Sequence, residues 1–166
     1  MNPVGSEAAK HAKDVARQQF DKGLFSYSCL RGAGHLNCGA CIECTMRGLM
    51  RSKEVVEQFS QISGISLVGL FKDFFVEFQE GDFISPHTDE INGRLGFVLQ
   101  LSQGWQASHG GLLHFTQGER GQLLETIVPT FNTLTLFDTA SRDIWHHVSV
   151  VEAGGQPRIS MSGWYR

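Results

Sequence analysis

Two side chains that could bind a metal ion stand two positions apart in the segment SPHTDE. His87 supplies an imidazole and Asp89 supplies a carboxylate. On an extended chain, alternate side chains leave from the same face, and Pro86 favours extended geometry in the residue before it. His87 and Asp89 could therefore bind one metal ion together. A His-x-Asp tripeptide also occurs often by chance, so a polar strand end is an equally good interpretation of this segment taken alone.

A second histidine for such a site would come from the segment WHHVSVV, in which two histidines are adjacent. Neighbouring side chains on a strand point to opposite faces, so at most one of the pair can face a given pocket. One face carries His146, Val148 and Val150, and the other carries His147, Ser149 and Val151. Because the interior of a small barrel is mostly apolar, this pattern predicts that His146 points inward and His147 outward. A bulge in the strand would reverse the assignment.

His87, Asp89 and His146 together would place two nitrogens and one oxygen on one side of a metal ion. The opposite side of the ion would stay open. This is the ligand arrangement of non-haem Fe(II) oxygenases, in which the open positions take a co-substrate and O2. The three residues are therefore the predicted iron ligands.

The segment RISMSGW, which begins twelve positions after His146, carries a polar face. This face consists of Arg158, Ser160, Ser162 and Trp164. An arginine can bind a carboxylate through two parallel hydrogen bonds, and the hydroxyl of Ser160 can donate a third. An arginine on a terminal strand more often lies at the surface. Since only the turn EAGGQP separates this strand from the strand of His146, we expect Arg158 to bind an anion beside the metal site.

The elements that would position these residues are short and rich in β-branched and aromatic residues from residue 65 onward. Gly-rich turn clusters separate the runs, and no long helical pattern interrupts them, which is typical of an antiparallel sandwich or barrel. The first part of the chain differs. Helix-forming residues predict one helix over residues 6–20, with Ser6 as its cap, and apolar residues at helical spacing predict a second helix over residues 51–64. The Cys- and Gly-rich segment between these helices is predicted to be a loop.

Composition limits the classes of partner. The 166 residues are enough for one domain with its own core, and we predict a single domain over residues 1–166. A net charge of −3 argues against electrostatic binding to nucleic acid or to an anionic membrane, and no apolar run is long enough to span a bilayer. The polar first twenty residues lack the apolar core of a signal peptide. We therefore expect a cytoplasmic protein with reduced cysteines.

The motifs together resemble those of the Fe(II)- and 2-oxoglutarate-dependent oxygenases, most nearly the prolyl-hydroxylase-like branch. The resemblance rests on HTD at 87–89, on the histidine of HHV, and on RIS leading into GW. GDFISPHTD, GRLGFVLQLS, GGLLHF and RISMSGWYR also match, so that the resemblance covers about residues 67–166. In that branch the second iron histidine is followed by any residue and then valine. The order His146-His147-Val148 has this spacing, which favours His146 independently of the face argument.

The resemblance implies a mainly β fold, a double-stranded β-helix or jelly roll with N-terminal helices. Residues 66–166 would form the catalytic core, and residues 1–65 a helical and Cys-rich N-terminal region. Iron would be held by His87, Asp89 and His146, and the far carboxylate of 2-oxoglutarate by Arg158 with Ser160. The resemblance also implies that O2 is consumed and that ascorbate is a further candidate cofactor.

The reaction implied is hydroxylation of an unactivated C–H bond of an amino acid or peptidyl residue, with decarboxylation of 2-oxoglutarate to succinate and CO2. A carboxylate at Asp89 argues against halogenation, because related halogenases have a small residue there. Phe83 stands where many relatives carry tyrosine, which implies one hydroxyl contact fewer to the co-substrate. Two alternatives stay open: desaturation or cyclisation of a biosynthetic intermediate, and a non-catalytic metal-binding jelly roll. The substrate would be a small molecule or a peptide, and the short chain favours a small one.

A cluster of cysteines lies in the predicted loop. Cys38, Cys41 and Cys44 are spaced three apart, Cys29 precedes them, and His35 is nearby. Such a group could bind zinc or an iron–sulfur cluster. Structural zinc sites normally have two cysteine pairs separated by a longer loop, so the spacing is a poor match. The last three cysteines also fit one stripe of a short helix, packed as small apolar residues. A third interpretation is that this loop covers the active site and contacts substrate.

Overall fold

The computed structural model describes residues 7–32, 38 and 41–166. Three helices lie within these residues, α1 (Glu7–Asp21), α2 (Ile42–Met50) and α3 (Lys53–Ser63). Helices α1 and α3 confirm the two predicted helices. Ser6, the expected cap of α1, lies outside the described residues.

Helix α2 occupies part of the segment predicted to be a loop. Cys41 is its N-cap, and the Sγ atom of this residue accepts a hydrogen bond from the backbone N–H of Cys44 at 3.4 Å. The helix has only nine residues and contains Gly48, so its apolar residues repeat too few times to show a helical period. The cap, a cysteine rather than the usual Ser, Thr, Asp or Asn, gives no recognisable start signal.

Nine strands within the described residues form two antiparallel sheets, and all of them except the first lie in the predicted β-rich part of the chain. The strands are β1 (Leu30–Gly32), β2 (Leu70–Phe78), β3 (Ile84–His87), β4 (Leu95–Gln100), β5 (Leu113–Gln117), β6 (Leu123–Ile127), β7 (Leu134–Asp138), β8 (Ile144–Val148) and β9 (Arg158–Tyr165). A five-stranded sheet, here called the major sheet, has the order β1-β2-β9-β4-β7. A four-stranded sheet, the minor sheet, has the order β3-β8-β5-β6. This architecture confirms the predicted mainly β, antiparallel fold.

Two apolar clusters hold the layers together. The first lies between the sheets and includes Val76 and Phe78 of β2, Leu113 of β5 and Val148 of β8. The second lies on the other face of the major sheet and joins it to the helices through Met50, Val56, Phe59, Leu95, Phe97, Met161 and Tyr165. Because side chains alternate along β9, this strand sends its apolar residues to the helices and its polar residues to the space between the sheets.

Strand β1 was not predicted. It pairs with β2 at the edge of the major sheet, with Arg31 opposite Val76 and Gly32 opposite Phe75. Its three residues are exposed and show no alternation of polar and apolar side chains. The strand exists because β2 offers a free edge, a long-range condition that local sequence does not report. This pairing carries the chain from the N-terminal region into the sheet of the β-rich core.

Strand β8 is shorter than the run HHVSVV suggests. It ends at Val148, and Val151, predicted to face outward, is fully buried in the inter-sheet cluster, whereas Val150 is only half-buried. The backbone of Val151 bridges to Gly110 and bonds to Asp82 after the strand has ended. The predicted alternation is therefore wrong beyond Val148, because strict alternation lasts only as long as the strand does.

None of the helices within residues 7–32, 38 and 41–166 is long and apolar enough to cross a membrane. The predicted single domain over residues 1–166, divided into residues 1–65 and 66–166, stays a prediction.

Candidate active site

His87, Asp89 and His146 meet at one end of the inter-sheet space. His87 ends β3 and is the register partner of His146 in β8, and Asp89 lies in the turn that follows β3. The Nε2 atom of His146 is 3.2 Å from Asp89 Oδ2, and the Nε2 atom of His87 is 3.8 Å from Asp89 Oδ1. One ligand atom from each residue lies within 4.8 Å of the other two. The three predicted ligands are thus close enough to share one metal ion.

Neighbouring groups orient these side chains. The Nδ1 atom of His87 donates to the carbonyl of Ser85 at 2.9 Å, which leaves Nε2 free for a metal ion. The indole N–H of Trp164 donates to Asp89 Oδ2 at 2.9 Å, and the side-chain amide of Asn92 donates to Oδ1 at 3.2 Å. A carboxylate held at both oxygens keeps a fixed direction.

The surroundings also favour the protonation states that metal binding requires. Burial and the neighbouring His146 lower the pKa of His87 to about 4, so its imidazole is neutral at pH 7. Burial alone would raise the pKa of Asp89, but the hydrogen bond and electrostatic attraction of His146 and the hydrogen bond from Trp164 hold it below its ordinary value. A neutral imidazole and an ionised carboxylate are ready to bind a cation without losing protons.

His147 lies on the opposite face of the minor sheet from His146, as predicted. Its ring stacks on His114 of β5, with centroids 4.8 Å apart and planes inclined by 25°. His114 in turn hydrogen-bonds Thr126 at 2.9 Å. His147 is not among the residues that line the cavity described next.

A cavity of about 610 Å³ lies between the sheets and contains the three candidate ligands in its wall. The polar face predicted for β9 lines it, since Arg158, Ser160, Ser162 and Trp164 all reach the cavity. Strands β2 and β4 contribute apolar side chains to the same wall. The structure therefore brings together all five residues singled out from the sequence as metal or co-substrate ligands, His87, Asp89, His146, Arg158 and Ser160.

Arg158 is buried with only 1% of its surface exposed. Burial lowers the pKa of its guanidinium to about 10, so it is still charged at pH 7. The guanidinium carbon lies 4.7 Å from the centre of the Phe78 ring, and among the described residues no carboxylate forms an ion pair with it. A buried charge without a partner is costly. The cavity therefore favours an anionic ligand at Arg158.

Several buried polar atoms on the same face of the major sheet as this arginine lack a hydrogen-bond partner. Arg158 Nε, Ser160 Oγ and both side-chain polar atoms of Gln100 are buried without a hydrogen-bond partner. Gln100 on β4 is the register partner of Ser160, so their side chains share one face of the major sheet. Such groups carry a desolvation cost that a polar ligand would remove. Gln100 was missed from the sequence, although a polar residue in phase with Val98 in the run GFVLQ was a signal that could have drawn attention to it.

A glycine lets the backbone of the 110–111 segment approach Arg158. A Cβ atom at Gly111 would lie 2.9 Å from Arg158 Cδ, and one at Gly110 would lie 2.0 Å from the carbonyl oxygen of Val150. Both glycines also have φ values of +61°, which other residues rarely adopt. The two glycines therefore allow the backbone to pass close to Arg158 and to Val150.

Phe83 does not line the cavity. Its buried ring packs against Phe20 of α1, with centroids 5.4 Å apart. A tyrosine hydroxyl at position 83 would not reach the cavity, so the expectation that Phe83 costs the co-substrate a hydrogen bond is wrong. Side chains alternate along the extended segment, and it is the next residue, Ile84, that reaches the cavity.

Part of the cavity wall comes from the segment that was predicted to be a loop. Phe25, Tyr27 and Arg31 line the cavity, and the Phe25 ring centroid is 5.2 Å from that of His87. The guanidinium carbon of Arg31 lies 4.4 Å from the ring centre of Tyr27 and 4.8 Å from that of Phe74. This agrees with the interpretation that the segment covers the active site, whereas the individual residues were not identified from the sequence.

Comparison with known proteins agrees with this geometry. The sequence model of the 2OG-Fe(II) oxygenase superfamily matches residues 75–166, which is more than half of the chain. The chain belongs to this superfamily. It is 33% identical to prolyl 3-hydroxylase OGFOD1 of Xenopus laevis over 118 residues, which is 66% of this chain and 23% of that protein. It is 29% identical to the Mus musculus protein of the same name over 111 residues, 64% of this chain and 20% of that one. The chain thus spans less than a quarter of the length of these relatives.

Solved structures confirm the predicted jelly roll. A Pseudomonas putida prolyl-4-hydroxylase superposes with a TM-score of 0.62 at 20% identity, covering 95% of this chain and 86% of that one. A Trichoplax adhaerens prolyl hydroxylase in complex with a hypoxia inducible factor peptide fragment superposes with a TM-score of 0.63 at 17% identity, covering 98% and 79%. The resemblance to the prolyl-hydroxylase-like branch is confirmed by these relatives and neighbours.

Proposed function

We propose that this 2OG-Fe(II) oxygenase hydroxylates an unactivated C–H bond of a peptidyl residue and converts 2-oxoglutarate to succinate and CO2. The proposal rests on one observation: the ligand set His87, Asp89 and His146 lines the same cavity as Arg158, a buried arginine without a carboxylate partner. The first fits a divalent metal ion with open positions, and the second fits the far carboxylate of a dicarboxylic acid.

His87, Asp89 and His146 would hold the Fe(II) ion, and Fe(II) with 2-oxoglutarate supplies the O2 chemistry that oxidises C–H bonds. The carbonyl of Ser85 fixes the orientation of the His87 ring, and the indole of Trp164 fixes that of the Asp89 carboxylate. The apolar walls contributed by β2 and β4 keep bulk water from the target carbon. Because Asp89 supplies a carboxylate ligand, hydroxylation fits the site better than halogenation.

Arg158 would bind the far carboxylate of 2-oxoglutarate with two charge-assisted hydrogen bonds. The hydroxyl of Ser160 lines the cavity, is buried and lacks a partner, so it can donate to the same carboxylate. This assignment accounts for polar atoms of Arg158 and Ser160 that are otherwise unsatisfied. Gln100 lies opposite Ser160 on the neighbouring strand but is not among the residues that line the cavity.

For the substrate we propose a prolyl residue within a peptide. Relatives and structural neighbours are prolyl hydroxylases, and one of them is described in complex with a peptide fragment. The aromatic side chains of Phe25, Tyr27 and Phe74 line this chain's cavity and suit an apolar ring. A cytoplasmic location also stays a prediction, supported by the fact that none of the four cysteines forms a disulfide.

The decisive experiment measures succinate release by the purified chain with Fe(II), 2-oxoglutarate, ascorbate and O2. Proline-containing peptides are compared with free amino acids, and mass spectrometry detects the gain of one oxygen atom. We expect turnover with a peptide, and we expect Arg158→Met to weaken 2-oxoglutarate binding by about 100-fold, since two charge-assisted hydrogen bonds are lost. A product lacking two hydrogens would instead indicate desaturation or cyclisation. A chain that binds neither iron nor 2-oxoglutarate would be a non-catalytic module.

A further inference from the structure

Three of the four cysteines converge at the start of α2, outside the cavity. Cys38 precedes the helix, Cys41 caps it, and Cys44 lies in its first turn. The three Sγ atoms lie within 4.8 Å of one another, and those of Cys38 and Cys44 are 3.6 Å apart. Only Cys44 lies inside the helix, so the interpretation of the three as one helical stripe is wrong. His35 lies outside the described residues.

We propose that Cys38, Cys41 and Cys44 together bind a zinc ion through their thiolates. Zn–S bonds of about 2.3 Å at tetrahedral angles place two sulfurs about 3.8 Å apart. The 3.6 Å separation of Cys38 and Cys44 is close to this value, and the 4.8 Å limit for the whole set needs only side-chain adjustment. The spacing along the chain made zinc a poor match because no second cysteine pair follows. The fold removes that objection, because the three sulfurs lie close together although no second cysteine pair follows.

The alternatives for three clustered cysteines fit the geometry less well. In a cubane iron–sulfur cluster each thiolate binds a different iron, so the sulfurs lie farther apart than the ligands of a single ion. In a disulfide the sulfurs would be about 2.0 Å apart, and none of these cysteines forms a disulfide. The set therefore fits a single thiophilic cation.

The start of α2 directs positive charge at the sulfurs. Cys41 Sγ accepts a hydrogen bond from the backbone N–H of Cys44, and the positive end of the α2 dipole lies at the same place. Without a cation, the neighbouring thiols of Cys38 and Cys44 and burial outweigh this hydrogen bond and raise the pKa of the Cys41 thiol above its ordinary value, so a bound cation would be needed to hold the thiolates. Cys38 is exposed, and Cys41 and Cys44 are partly exposed, so an ion can enter and water can take the fourth position. Cys29 differs in every respect: it is buried in the inter-sheet cluster, and burial raises the pKa of its thiol to about 11.

The position of the cluster indicates what the ion would do. Cys38 follows β1, whose Arg31 lines the cavity, and Cys44 belongs to α2, which is tied to β2 by ion pairs from Arg47 and Arg51 to Asp73. A zinc ion would join the end of the cavity wall to a helix fixed on the major sheet. It would thus serve a structural purpose, separate from the iron site.

The test is a Co²⁺ titration of the reduced, metal-free full chain, followed by displacement with Zn²⁺. Sulfur-to-cobalt charge-transfer absorption reports thiolate ligands and is not produced by imidazole and carboxylate ligands. We expect this absorption to saturate at one ion per chain, to disappear on addition of one equivalent of Zn²⁺, and to be lost in Cys41→Ser and in Cys44→Ser. Serine preserves the N-cap of α2, so Cys41→Ser should keep the circular dichroism of the wild type.

Two controls separate this site from others. Cys29→Ala removes a thiol outside the cluster and should leave the charge-transfer absorption intact. His146→Ala removes a ligand of the iron site and should also leave it intact, so the result does not depend on the proposed oxidation. The proposal would be overturned if the absorption is absent, or if it survives in a chain that lacks all three cysteines. It would also be overturned if the cysteines oxidise in air to a disulfide instead of binding Zn²⁺, or if the cluster binds Cu(I) but not Zn²⁺.

Discussion

His146 and His147 are adjacent on β8, and their rings lie on opposite faces of the minor sheet. His146 is 8% exposed and lies 3.2 Å from the carboxylate of Asp89. His147 stacks on His114 and, half-buried, has its pKa lowered by burial and by that neighbouring imidazole. One ring faces the candidate metal site, whereas the other packs on the outside.

This difference predicts opposite results for two alanine substitutions. His146→Ala should abolish turnover and weaken the binding of Fe(II) or Mn²⁺, because it removes one of three ligands. His147→Ala should keep metal binding and most of the turnover. It should lower the free energy of unfolding by about 1 kcal/mol, because one stacked ring pair is lost. Metal titration and urea unfolding measure both effects, and the reverse pattern would contradict the assignment of the ligands.

At this scale the sequence predicted residues whose relation is local. His87 and Asp89 contribute to one site because they are two apart, although β3 ends at His87, and Arg158 lies one turn beyond β8. Gln100 was missed because its position depends on the pairing of β4 with β9, and Asn92 because its contact with Asp89 depends on the path of the chain after Asp89. No local pattern reports such contacts.

At the scale of elements, α2 is positioned by charge as well as by apolar packing. The carboxylate of Asp73 on β2 is fully buried and forms ion pairs with Arg47 and Arg51 of the α2 region. The Arg47 guanidinium also lies over the Phe75 ring, with its carbon 5.2 Å from the ring centre. A buried carboxylate with two arginine partners fixes the helix on the outer face of the sheet.

Removing that carboxylate should be costly. Asp73→Asn leaves the buried Arg47 without its counter-charge, so we expect the free energy of unfolding to fall by about 3 kcal/mol. Glu57→Gln is the matched control, because its ion pair with Lys53 is exposed and should change the same quantity by less than about 0.5 kcal/mol. Urea denaturation followed by circular dichroism measures both. Equal, small effects would show that Asp73 does not hold α2 in place.

Helices α1 and α3 and most strands were predictable because hydrophobic period and turn residues are properties of neighbouring residues. Strand β1 and helix α2 were not, since β1 depends on the free edge of β2 and α2 has an unusual cap. The end of β8 at Val148 could not be predicted from the sequence either, because the buried position of Val151 depends on its backbone contacts with Gly110 and Asp82.

At the scale of the whole molecule, the candidate ligand groups belong to different sheets. His87 and His146 are in the minor sheet, and Arg158 and Ser160 are in the major sheet. A metal ion chelated by 2-oxoglutarate would therefore connect the two sheets across the cavity. Binding that joins two layers stabilises the folded state relative to the unfolded chain.

We expect Mn²⁺ and 2-oxoglutarate together to raise the melting temperature more than Mn²⁺ alone. At a 2-oxoglutarate concentration 100 times its dissociation constant, the added stability is about 2.7 kcal/mol. Arg158→Met should keep the increase due to Mn²⁺ and lose the further increase due to 2-oxoglutarate, whereas His146→Ala should lose both. Thermal unfolding by fluorescence or calorimetry measures these shifts. A full 2-oxoglutarate shift in Arg158→Met would contradict the assigned anion site.

Strand β9 lies at the centre of the major sheet, paired with β2 on one side and β4 on the other. It carries Arg158 and Ser160, and through Trp164 it also holds the carboxylate of Asp89. Strand β1, which carries Arg31, lies at the edge of the same sheet. We therefore expect substitutions on β9 to alter both ligand binding and the fold, and substitutions of Arg31 on β1 to act on one wall of the cavity. In an evolving lineage, such an arrangement would conserve the metal and anion site while the shape of the remaining cavity wall diverges.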